Sequence, residues 1–279
     1  MAIDFLTPFK RLDSIRSTEP ELTPNNWCQV QPCATVHLFG KRIILTQPSS
    51  TLLVYLLGVL TIGVGLNFLW QPGGEASGWW WGISMLLWGA GALLAGTSYQ
   101  AFGYHIKCQG RTICAWTSWW EVVYLMFQQL SINALLVAVA YACTTAPWQQ
   151  WAIGYALVCA ILYVIVTFAG AIIPVKTLIT FELMVWVSTP AFVFLLGLNS
   201  WRYYIFNTSM DLVLVFAWVW LLITMLAYWL YDKLGLTGRL WASGKGFWFS
   251  QNDVLHVGLI IWMLYIALIV TPRINDLIV

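Results

Sequence analysis

From Glu121 to Lys176 the chain reads EVVYLMFQQLSINALLVAVAYACTTAPWQQWAIGYALVCAILYVIVTFAGAIIPVK, and between those two end residues there is no Asp, Glu, Lys or Arg. A helix that crosses a bilayer takes about 20 apolar residues, so the stretch is long enough for two. Thr144-Thr145-Ala146-Pro147 supplies turn residues between them, which makes the pair a tight helical hairpin. The runs are continuously apolar rather than alternating, which argues against the strands of an outer-membrane barrel.

The same reading extends to the rest of the chain. Of its 279 residues 60% are hydrophobic and only 9% charged, whereas a soluble domain carries about a quarter of its residues as charges. Apolar runs with at most one charged residue each fall at approximately Leu52–Trp70, Gly78–Tyr104, Glu121–Cys143, Trp148–Ala171, Leu178–Leu198, Leu212–Tyr231 and Asp253–Val270. The expected fold is therefore an all-α, polytopic membrane protein with seven transmembrane helices. Residues 1–49 form an N-terminal segment, 50–271 the seven-helix domain and 272–279 a short tail. Eleven of the thirteen Lys and Arg fall on the N-terminal side, with Arg202 and Arg273 on the other. The positive-inside rule then expects the N-terminus in the cytoplasm and the C-terminus outside. With a net charge of +2 and scattered basic residues, nucleic acid is not an expected partner; membrane lipid is, with other membrane subunits as a further class.

Met1 to Lys41 has no apolar core followed by a small-residue cleavage site, so no removable signal is expected. Ile3, Phe5, Leu6, Phe9, Leu12 and Ile15 lie among Lys10, Arg11 and Arg16, which suits either a short helix on the inner leaflet or a mobile tail. Cys28, Cys33, Cys108 and Cys114 lack the tight pairs of a zinc or iron–sulfur site and are expected as reduced thiols, with Cys143 and Cys159 as packing residues. The nineteen tryptophans suit interfacial belts, or the lining of a cleft for a pigment or sterol. Gly89, Gly91 and Gly96 suit close helix contact.

The chemistry-bearing candidates are the few ionisable groups in or at the helices, where charge is costly in lipid. His105 ends the second run, Glu121 begins the third, and Asp253 and His256 lie one turn apart at the start of the seventh. Alternate helices reverse direction, so all four are expected at one depth. His and carboxylate together are ligands for zinc or iron. Each has a plainer reading: Ser118-x-x-Glu121 and Ser250-x-x-Asp253 fit capping boxes, and His105 suits an interface. His105 and His256 also suit axial ligation of haem, or coordination of a pigment. Glu182, with Pro190 further along its helix, suits a proton-carrying acid of a transporter.

The span count, the segment Gly96-Thr-Ser-Tyr-Gln-Ala-Phe-Gly-Tyr-His105, the acid Glu121 and Gln251-Asn-Asp-Val-Leu-His256 resemble the seven-helix membrane hydrolase superfamily of alkaline ceramidases and progestin and adiponectin receptors. That resemblance implies a zinc site of His105, Asp253 and His256, with Glu121 as base, Ser98, seven residues before His105, as the serine of the site, and a lipid amide as substrate. The chain departs from the family pattern at Asn252, where the family has a further His, and at Ala101, where it has Ser.

Overall fold

The computed structural model describes residues 7–18, 21–38, 40–71, 74–242 and 246–277. Seven long helices dominate them: α1 Pro48–Leu69, α2 Ala76–Ala95, α3 Trp119–Cys143, α4 Trp148–Ile172, α5 Phe181–Phe206, α6 Ser209–Lys233 and α7 Gln251–Tyr265. Six of them, α5 and α7 with their flanking turns, are long and apolar enough to cross a membrane, the build of a multi-pass membrane protein. The other is α2. Its Trp79, Trp80, Trp81, Gly82, Gly89 and Gly91 lower its mean hydropathy, although it is packed between α1 and α3.

Local chemistry sets the ends. Thr180 and Thr208 accept the N–H of Leu183 and Asp211 as N-caps of α5 and α6, and Ser250 and Asp253 form a reciprocal capping box on α7. Asn207, at φ 51°, terminates α5 in the left-handed region and turns the chain into α6. Beyond Ala95 the second helix continues through two π-helical segments, Gly96–Ala101 and Tyr104–Cys108.

The helices form a ring. Neighbours pack in the order α1, α2, α3, α5, α6, α7 and back to α1, while α4 lies outside the ring against α3. α3 is the most enclosed of the six candidate spans, with 72% of its apolar window buried against 22% for α4. Between α1 and α2 the backbones nearly touch: a Cβ added at Gly89 would lie 2.7 Å from the Gly58 carbonyl oxygen, and one at Gly82 would lie 3.1 Å from that of Gly65. Such small-residue seams let helices approach where lipid provides no hydrophobic drive.

Several expectations need correction. The described residues include an antiparallel hairpin, β1 Cys33–Leu38 with β2 Lys41–Thr46, so the fold is nearly but not wholly α. Ile43, Ile44, Val36 and Thr35 suit a strand, and Gly40, at φ 73°, supplies the turn. Cys28 is bonded to Cys33 and Cys108 to Cys114, against the expected reduced thiols. In the N-terminal stretch, Ala2–Leu6 lies outside the described residues. Further along, Leu12 is fully buried with Val122, Leu125 and Tyr163, so this part docks on protein. The C-terminal segment docks too: Asp276 accepts the N–H groups of Ala76 and Ser77 at 2.8 Å each and thereby caps α2.

Replacing Gly89 by Leu should force α1 and α2 apart and destabilise the fold by about 1–3 kcal/mol. Gly154→Leu, on α4 with no atom within 4 Å of its added Cβ, should be near neutral. Thermal unfolding of both variants in mild detergent checks the difference.

Candidate ligand-binding cavity

The ring encloses a cavity of about 270 Å³. Each of its six helices contributes to the wall, among them Leu57 of α1, Trp88 of α2, Gln128 of α3, Ser188 of α5, Trp218 of α6 and His256 of α7. On α5 the lining residues run from Phe181 to Leu196, which at the helical rise is about 22 Å. The cavity is thus elongated along the bundle and mostly apolar. It also opens sideways: Val193 of α5 and Leu222 of α6 belong to its wall yet are 65% and 51% exposed. In a bilayer that gap between α5 and α6 faces acyl chains.

Two polar atoms near one end of the cavity have no partner among the described residues. His256 is only 8% exposed, and its Nδ1 makes no hydrogen bond. One turn earlier, Asp253 Oδ2 accepts from the Ser250 N–H and hydroxyl, while Oδ1 is buried and unpaired. A buried polar group without a partner costs about 1–3 kcal/mol, so each marks a place where a further hydrogen bond would be gained.

Ser98 and Glu121 do meet, through the contact of α2 with α3. Glu121 Oε1 accepts from Ser98 Oγ and from Lys107 Nζ, both at 2.8 Å, and Ser98 Oγ lies 2.7 Å from Ser118 Oγ. Lys107 and Glu121 are both buried, and the Lys107 ammonium lies 5.0 Å from the Tyr99 ring centre. Tyr99 in turn packs edge-on against Tyr124, which lines the cavity. Ser118 takes the N-cap position of α3 without making the side-chain cap, so the expected capping box with Glu121 does not form. Lys107 is the member that sequence reading missed. It lies two residues past His105 on a π-helical turn, and such turns re-aim side chains at functional sites.

His105 is placed elsewhere. Its Nε2 accepts the Ile44 backbone N–H at 2.9 Å and its Nδ1 donates to Gln109 Oε1 at 2.8 Å, so the ring pins strand β2 to the end of the second helix. Neither nitrogen is left for zinc or haem. Among the described residues no three His, Cys, Asp or Glu side chains gather as metal ligands. The three-ligand zinc set that the resemblance implies therefore does not fit: Asp253 and His256 keep open atoms, His105 does not, and Glu121 is held by Lys107. Glu182 lies in the first turn of α5 and is exposed, so it is not an acid enclosed by the bundle.

The opposite end of the bundle holds a second buried ion pair, which was not anticipated. Arg202 Nε meets the Asp211 carboxylate at 3.1 and 3.2 Å, Asn199 Nδ2 donates to Asp211 Oδ1 at 2.9 Å, and Trp218 Nε1 donates to Asn199 Oδ1 at 2.8 Å. Arg202 also donates to the Cys143 carbonyl at 2.7 Å. α3, α5 and α6 are joined there by one network.

Lys107→Met should leave Glu121 buried without its cation and cost about 3–5 kcal/mol. Adding Glu121→Gln should recover much of that loss, because the unpaired charge is then gone. Melting of the two single variants and the double variant in detergent measures the coupling. Comparison with known protein families, with curated proteins and with solved structures finds no match.

Proposed function

We propose that the protein is an integral membrane protein of seven spanning helices that binds an elongated, lipid-like molecule in the cavity of its helix ring. The observation that carries this reading is the cavity itself: apolar, about 270 Å³, walled by six helices and open sideways at Val193 and Leu222. An apolar wall of that extent, open to the bilayer, suits an apolar occupant drawn from it. Water is a poor alternative, since apolar cavities stay dry.

Binding is favoured here over hydrolysis. A hydrolase built on the expected residues needs Glu121 free to act as base or a complete set of metal ligands. Glu121 is engaged by Lys107 and Ser98, and His105 by the hairpin.

Lipid extraction and mass spectrometry of the purified protein should find a long-chain molecule retained at about one per chain. Val193→Trp, at the exposed opening, should reduce that retention at least tenfold while leaving the melting temperature of delipidated protein unchanged. Ala92→Trp, inside the wall, should do the same if it folds. Retention unaltered in a folded Val193→Trp variant would sink the proposal. Zinc at one per chain that disappears in His256→Ala would replace it with the metal reading.

A further inference from the structure

Both disulfides stand at the same end of the bundle, where α1 and α3 begin and the second helix ends. Cys28–Cys33 belongs to the N-terminal segment and Cys108–Cys114 to the connection between α2 and α3. The two segments fold together: Trp27, Cys108 and Cys114 form one small buried cluster, Cys114 N–H donates to the Leu22 carbonyl at 2.8 Å, and Ser17 N–H to the Cys114 carbonyl at 2.9 Å. With the hairpin they make a stapled cap over that end. Cys143 and Cys159, within helices, are free.

Disulfides persist in oxidising compartments and are rare where glutathione and thioredoxin keep thiols reduced. A small unit with little core of its own is the kind that such links stabilise. The charge bias points the other way, but several of its members carry reduced weight. Lys10, Arg11 and Arg16 lie outside the ~15–20 residues next to a span over which the rule is read. Lys107 is buried in its pair with Glu121 and Arg111 pairs with Asp13 at 3.1 Å, as Arg202 on the other side is buried in its pair with Asp211. The bias is one graded preference, whereas the two covalent links come from separate segments and agree.

We infer that the capped end faces an oxidising compartment, so that the N-terminal segment lies outside the cytoplasm and the docked C-terminal segment lies on the cytoplasmic side. This reverses the orientation expected from charge, and it does not depend on what fills the cavity. Asp276 and Leu277 bond to the start of α2 and the end of α3, which are at the end opposite the cap.

The test uses the full chain in the inner membrane of bacterial cells whose outer membrane has been permeabilised. Asp232→Cys, exposed at the capped end, should react with a membrane-impermeant maleimide in intact cells. Gln150→Cys, exposed at the opposite end, should react only after lysis, with the wild-type chain as the blank. The reverse pattern, or reaction of both before lysis, overturns the inference. Independently, alkylation of the unfolded wild-type chain should block two thiols before reduction and six after it; six before reduction likewise overturns it.

Discussion

Apolar side chains gain nothing by leaving lipid for one another, so a bundle in a bilayer is held by close backbone approach and buried polar contacts. α3 is where those contacts concentrate. Glu121 at its start joins the second helix through Ser98 and Lys107, Ser131 at its middle exchanges hydrogen bonds with Ser84, and Cys143 at its end receives Arg202 from α5. Gln128 donates to the Trp88 carbonyl, and Gln129 accepts from Ser188. α2 and α5 pack directly on α3, and α1, α6 and α7 close the ring through them.

The cavity follows from that arrangement. α2 and α5 flank α3, and α1, α6 and α7 complete the circuit. Large rings fill part of the space, with Trp81 stacked between Phe68 and Trp218 and Trp88 against Trp262. Ala92, Ala95 and Ser188 leave the remainder open. The two buried ion pairs stand at opposite ends of the bundle, so polar order is concentrated at the ends while the middle keeps an apolar interior.

The site expected from the sequence divides according to which helices are neighbours. Depth is legible in a charge pattern, because it is counted from helix ends, and it put His105, Glu121, Asp253 and His256 at one level. Lateral position is not. In the ring α1 stands between α2 and α7, and strand β2 takes both the space and the lone pair of His105, so that residue is withdrawn from Asp253 and His256. Ser98 and Glu121 lie on adjacent helices and do meet. The two capping patterns show the same divide: Ser250 with Asp253 forms the box, whereas the identical spacing of Ser118 with Glu121 does not, because Lys107 and Ser98 hold that carboxylate.

Composition and the spacing of charges were enough for a multi-pass helical membrane protein and the approximate limits of its long helices, six of which are long and apolar enough to span, since a bilayer demands about 20 apolar residues and turn residues between runs. They were also enough to show that α3 and α4 form a hairpin. The order of helices round the ring, the exclusion of α4, the pairing of cysteines and the choice of Lys107 over His105 were decided by tertiary contacts alone. The physical reason is that length and hydropathy are properties of one helix at a time. A neighbour is chosen by Gly58 facing Gly89, by a carboxylate reaching a buried ammonium, and by two cysteines meeting across a turn, none of which has a period along the chain.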